Sequence, residues 1–248
     1  PFSHLSTRYP NMIPHIIHYC WFGGRPLPKS ALRCIASWKK WLPGYEIREW
    51  NEDNFDVNAH PYTREAYAAG KFAYVSDFAR YKILEEYGGL YFDTDVEVIA
   101  SLDDLLEKGA FMGMEKAFPP TVSSGLVMAV EPKHPIIQEM LIYYDNQTTL
   151  SKESMLKAGL VVRGMTEIFI HHGFIPEDCY QEVALISIYP SEYFDPMDNA
   201  TGRVTLTPNT RTIHHYDRTW SNQSAFYIWL SRLWHRTWLY HLLQSSKV

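Results

Sequence analysis

Apolar positions along this chain follow two periods in turn. Residues 13–22 are almost unbroken apolar, with Ile13, Ile16, Ile17, Tyr19, Cys20, Trp21 and Phe22. That is the pattern of a strand buried on both faces, and Gly23-Gly24 stops it. Lys29–Trp41 then places Leu32, Ile35 and Ala36 at helical spacing, with Lys39-Lys40 at the end where cations suit the helix dipole. Pro43-Gly44 breaks that helix, and residues 45–50 alternate like a strand. Strand, helix and strand in this order predict a parallel sheet joined by a right-handed crossover.

The next segments extend the same scheme. A polar connection holds a short helix near 63–69. Phe72–Tyr87 carries Val75, Phe78, Ala79, Ile83, Leu84 and Tyr87 at near-helical spacing, and Gly88-Gly89 is a good C-terminal stop. The pattern then predicts a strand over 88–98 and a short helix over 101–108 with Ser101 as N-cap. Two strands follow at 110–114 and 125–130, with a loop bearing Pro119-Pro120 between them that is expected to lie over the site. Further helices are expected at 135–144 and within 151–173, and a strand at 182–189. Residues 190–208 are rich in turns, and 212–220 read as a loop. Residues 224–244 are expected to form an aromatic-rich helix that also carries Arg232, His235 and Arg236. The expected organisation is an arm at 1–12, one domain over 13–221 and an amphipathic helix within 222–248.

Composition narrows the class. Of 248 residues 46% are hydrophobic, enough for a substantial core, and the net charge of −5 with no Lys/Arg run argues against nucleic acid as a partner. Cys20, Cys34 and Cys179 are odd in number and widely spaced, so they are expected to be reduced thiols without a zinc site or disulfide framework. No stretch reaches the ~18 apolar residues of a membrane span and no signal-peptide pattern opens the sequence, so a cytoplasmic location is expected. The C-terminal helix leaves two readings open, packing on the domain or peripheral contact with the inner face of a membrane.

The chemistry concentrates at Gly88-Gly89-Leu90-Tyr91-Phe92-Asp93-Thr94-Asp95. Residues i and i+2 of an extended segment point the same way, so Asp93 and Asp95 aim at one spot. Two like charges repel there unless a cation lies between them, and a hard divalent ion that also takes diphosphate oxygens suits the pair. Asp77 and Arg80, three apart on the preceding helix, share a face. Farther on, His214, His215, Asp217, Arg218 and Trp220 cluster within seven residues. They offer a third metal ligand and a phosphate clamp, or a merely structural loop.

Four blocks together resemble the bacterial family 32 glycosyltransferases, which include capsular-polysaccharide sugar transferases and are related to the initiating mannosyltransferases of yeast. The blocks are the opening strand through Gly24, the S-D-x-x-R-Y helix at Ser76–Tyr81, the G-G-x-Y-x-D-x-D stretch, and His214-His215 with Trp220, where Thr219 stands in place of the family's serine. The resemblance implies a GT-A fold: an α/β domain with a mainly parallel mixed sheet flanked by helices. It implies a metal-dependent, retaining hexosyl transfer from a nucleotide-sugar (a UDP-sugar favoured over GDP-mannose) to a glycan or lipid-linked acceptor. Carried onto this chain, Asp95 and His215 ligate Mn²⁺ or Mg²⁺, and Asp93 serves the metal or the ribose. Asp77 and Arg80 hold the donor sugar. Trp21, Phe22, Tyr91 and Trp220 line the nucleotide and its phosphates. Val162–Thr166 and Ser123-Ser124 depart from the family's usual T-G-P and Asn-Gly patterns. A nucleotide-sugar hydrolase and a non-catalytic sugar-nucleotide binder are the alternatives.

Overall fold

The computed structural model of the chain describes residues 12–148, 160–217 and 225–236. The N-terminal arm, apart from Met12, lies outside those residues, as does Trp220. The opening unit forms as expected: β1 (Ile16–Cys20), α1 (Lys29–Trp41) and β2 (Glu46–Trp50), with β1 and β2 parallel. Then come α2 (Pro61–Ala68) and α3 (Phe72–Tyr87), the latter with the bounds its periodicity predicts and Gly88 as C-cap at φ 61°. After β3 (Gly89–Tyr91), β4 (Val96–Val98) and α4 (Asp103–Leu106) come the long antiparallel pair β5 (Phe111–Glu115) and β6 (Thr121–Val130). The second half contributes α5 (Pro135–Gln147), α6 (Leu160–His171), β7 (Gln181–Val183), β8 (Ile186–Tyr189), α7 (Ser191–Phe194), β9 (Thr212–His214) and α8 (Ala225–His235).

Seven strands form one mixed sheet in the order β2-β1-β3-β6-β5-β8-β7. From the pairings, β1, β2, β3, β5 and β8 point one way and β6 and β7 the other. Both faces are covered. Alternate residues of one strand enter different apolar clusters: Leu90 and Phe111 pack with Trp38, Phe92 and Phe194, while Tyr91 and Met112 pack with Val75, Phe78, Tyr144 and Phe169. Double-sided burial is why the strands read as continuous apolar runs rather than as alternation.

Several sequence expectations change: β6 begins at Thr121, inside the loop expected between the two strands, and α4 begins at Asp103 with Leu102 rather than Ser101 as N-cap. The strand expected over 88–98 is two strands, because the chain leaves the main sheet after Tyr91 and turns at residues 94–95, where Val96 N donates to Asp93 O at 3.1 Å. β4 then pairs with β9 in a separate two-stranded sheet, so residues 212–214 are strand rather than loop. α1 anchors this small sheet: Trp38 Nε1 donates to Val96 O at 2.7 Å, and Val98 N donates to Ser37 Oγ. The strand expected at 182–189 is a hairpin, with Ala184 and Leu185 both at positive φ in its turn. No described helix is long and apolar enough to cross a membrane.

One buried histidine ties the sheet to its neighbours. His18 on β1 has no exposed surface. Trp50 Nε1 can only donate, so His18 Nδ1 accepts from it at 3.0 Å. The proton therefore sits on Nε2, which donates to Gly88 O at 2.9 Å. Burial drives His18 down from 6.5 to about 4, against the help its charged form draws from the Gly88 carbonyl. The folded value lies below the unfolded one, so folding favours the neutral ring. This contribution is complete above pH 6.5 and is lost as pH falls toward 4, in total about 3 kcal/mol. Urea melts of wild type and His18→Gln across that window are expected to diverge, the wild type losing stability more steeply on acidification. Parallel curves would clear His18 of the role.

Candidate functional site

The site lies where β3 ends and the chain crosses to β4. Asp93 and Asp95 occupy this crossing, still aimed at a common point although they are not on a strand. Asp93 is held close to β6: its N–H donates to Gly125 O at 3.0 Å, and a Cβ on Gly125 would fall on Asp93 Oδ2. A side chain at this position would displace the Asp93 carboxylate.

Arg80 is the hub. It is 3% exposed, and its Nη2 meets Asp77 Oδ1 at 2.8 Å and Asp93 Oδ1 at 3.2 Å. Its guanidinium carbon lies 4.7 Å from the centre of the Tyr91 ring, and Nη1 reaches Ser124 Oγ at 3.4 Å. Tyr91 adds a hydroxyl that donates to Asp93 Oδ1 at 3.2 Å. The i,i+3 spacing of Asp77 and Arg80 is thus a buried coupling rather than a surface pair. Burial pushes Asp77 up to about 7 against the pull of Arg80, and pushes Asp93 upward for the same reason.

Asp95 differs. Burial works against its charge, but His214 Nε2 at 3.2 Å and the Asp217 N–H at 2.9 Å outweigh it, and the carboxyl falls to about 2. His214 is raised to about 9, its burial overcome by the Asp95 carboxylate. Ligand atoms of Asp93, Asp95 and His214 all lie within 4.8 Å of one another. Two carboxylate oxygens and one imidazole nitrogen fit Mn²⁺ or Mg²⁺ in charge and hardness.

His214, rather than the expected His215, is the imidazole that the structure brings to the Asp93/Asp95 pair. In β9 neighbouring side chains alternate, and the register that sets His214 opposite Val96 turns His215 outward, where its Nε2 meets Glu97 Oε2 at 2.8 Å. Other expected residues also separate. Trp21 keeps part of its surface at the end of β1, its Nε1 donating to Arg25 O. Phe22 is 5% exposed and packs edge-on against Phe55. Tyr91 is buried beneath Arg80, so it supports the site from below.

Three groups at the site were given no role by the sequence reading: Tyr216, which lies inside the 212–220 cluster, and the carboxylates Glu115 and Asp195. Tyr216 sits at φ 52°, a conformation that costs a non-glycine residue about 1–2 kcal/mol. It lays its ring 4.0 Å from that of His214, and its hydroxyl faces Asp195 Oδ2 at 2.8 Å and Glu115 Oε1 at 3.3 Å. Burial raises both carboxyls. Glu115 ends β5 and Asp195 follows α7; nothing in local pattern links them to residue 216. The atypical segments have structural partners: Ser124 Oγ bonds the Tyr81 hydroxyl at 2.8 Å, and Thr166 Oγ1 accepts from Val122 N.

Comparison with known proteins finds similarity to glycosyltransferases. Residues 28–112 match the family profile described as a glycosyltransferase sugar-binding region containing a DXD motif. An uncharacterized glycosyltransferase, L373, of Acanthamoeba polyphaga mimivirus is 32% identical over 134 residues, covering 50% of this chain and 53% of the relative. The mannosyl phosphorylinositol ceramide synthase CSH1 of Saccharomyces cerevisiae is 29% identical over 143 residues, covering 55% and 37%. The chain thus spans about half or less of the curated relatives it matches. Among solved structures, the PaToxG glycosyltransferase superposes with a TM-score of 0.50 at 17% identity, over 65% of this chain and 72% of that one. The fold is an α/β domain of the GT-A type.

Removing the hub's charge should be costly. Arg80→Met leaves two half-buried carboxylates without their cation, and a loss of about 2–3 kcal/mol is expected in urea unfolding, below the figure for a fully buried pair. Adding Asp77→Asn should restore part of it. Equal losses in the single and double variants would show that the two side chains are not coupled.

Proposed function

We propose that this chain is a metal-dependent glycosyltransferase that moves a hexose from a nucleotide-sugar to a glycan or lipid-linked acceptor with retention of anomeric configuration. The observation that carries the reading is the convergence of Asp93, Asp95 and His214 beside the buried Arg80–Asp77 pair at the C-terminal end of β3. In open α/β sheets that edge is where ligands bind. The matched profile and the names of the relatives support sugar transfer.

The division of labour follows from the chemistry. Asp95, His214 and Asp93 would hold the cation, with Asp95 the stronger charge because it stays ionised. A divalent ion bound there supplies positive charge for the departing diphosphate. Arg80 is fixed in place by its partners, so it costs little reorganisation when it faces charge developing nearby. Asp77 keeps 17% of its side chain exposed and accepts hydrogen bonds from sugar hydroxyls, fixing the donor's orientation. Trp21, partly open, offers a face to the base, and Trp220 is assigned to the phosphates.

The acceptor side is read more coarsely. α8 is tied to the domain by Arg232 Nη2 to His215 O at 3.1 Å and by Arg236 Nε to Thr201 O at 2.6 Å. Leu230, Leu233 and Trp234 on the same helix are exposed. Apolar side chains on a tethered helix with basic neighbours fit an acceptor presented at a bilayer surface.

The test is nucleotide release from a panel of UDP- and GDP-sugars with and without EDTA. Release is expected only with Mn²⁺ or Mg²⁺, falling about a hundredfold or more in Asp95→Asn. Release that ignores EDTA would overturn the metal role. NMR of the product is expected to show the donor's anomeric configuration, and an inverted centre would overturn retention.

A further inference from the structure

Two buried atoms beside the proposed metal ligands have no hydrogen-bond partner among the described residues: His214 Nδ1 and Asp195 Oδ1. They are chemically complementary. When His214 gives Nε2 to a metal, its proton must sit on Nδ1, which then requires an acceptor. An ionised carboxylate oxygen offers only acceptor capacity.

The scaffold brings the two residues together. The segment carrying Asp195 is bound to β9, which carries His214: Thr212 Oγ1 donates to Phe194 O at 3.0 Å and Arg211 N donates to Tyr193 O at 2.7 Å. Tyr216 closes the arrangement, its ring on His214 and its hydroxyl on Asp195 Oδ2. The Lys116 N–H also donates to Oδ2, at 2.8 Å. One carboxylate oxygen thus takes two bonds while the other takes none, although Asp195 is 1% exposed. Glu115 also touches Tyr216, but no atom of it is left buried without a partner.

We infer that Asp195 is the outer carboxylate of the metal centre: its Oδ1 accepts the Nδ1–H of His214, directly or through one water, and so fixes the tautomer and ring orientation in which Nε2 ligates. Asp195 is a positioning residue; it touches neither metal nor donor. The inference rests on the metal reading above and adds a residue about 100 positions from the Asp93/Asp95 pair.

Mn²⁺ affinity is measured by calorimetry on wild type, Asp95→Asn, Asp195→Ala, Asp195→Asn and Glu115→Gln, without donor or acceptor. Wild type should bind and Asp95→Asn should not; if neither distinction is seen, the metal reading itself fails. Given that binding, Asp195→Ala is expected to weaken it about 10–100-fold and Asp195→Asn less, with Glu115→Gln close to wild type. In the Mg²⁺-loaded protein, ¹⁵N NMR should show a protected His214 Nδ1–H that is lost in Asp195→Ala, a signature that a purely structural role would not move. If Asp195→Ala does not fold, the isosteric Asp195→Asn decides. Binding within twofold of wild type in the Asp195 variants, or a greater loss in Glu115→Gln, overturns the inference.

Discussion

The structure turns on one buried guanidinium. Arg80 gathers Asp77 from its own helix, Asp93 from the end of β3, the face of Tyr91 and the hydroxyl of Ser124 on β6. Three elements are thereby held at one point, and a carboxylate that would otherwise repel its neighbour Asp95 is given a partner. A buried cation of this kind is weak evidence for stability, since desolvation offsets much of its attraction. It is better understood as a geometric constraint: with Arg80 in place, Asp93 can take few other positions, and the backbone bond to Gly125 leaves fewer still.

The second constraint is topological. The chain leaves the main sheet after Tyr91, and the turn it makes to reach β4 presents both carboxylates together. β4 needs a partner strand, and β9 supplies it from over a hundred residues away, delivering His214 to the doublet. α1 pins this small sheet from beneath through Trp38 and Ser37. The metal-type cluster is therefore a consequence of how a short sheet is packed on a long one.

The polarity of the cluster is graded. Asp95 is driven below its ordinary value by His214 and a backbone N–H, while Asp93 and Asp77 are driven above theirs by burial. Environments that push neighbouring carboxyls apart in this way are typical of functional sites. Here Asp95 is the member whose charge its surroundings favour, while Arg80 works against the burial that raises Asp77 and Asp93.

Much of this was legible in the residues. Continuous apolar runs, helical spacing over Phe72–Tyr87 and the glycine stops determined the main strands and the central helix, because those signals come from local periodicity. The Asp93/Asp95 pair and the Asp77/Arg80 pair were visible for the same reason: each lies within one turn or one extended step. Strand pairing is not local, and it decided the rest. Which of His214 and His215 meets the doublet depends on the register of β9 against β4, and a shift of one residue would exchange them. Asp195 and Glu115 carry no mark in the sequence, since each is brought to the site by a different segment, and Tyr216, though inside the His214–Trp220 cluster, is given its role by the contacts those two make with it. The sequence by itself determined the carboxylates of the site; the tertiary structure decided what stands opposite them.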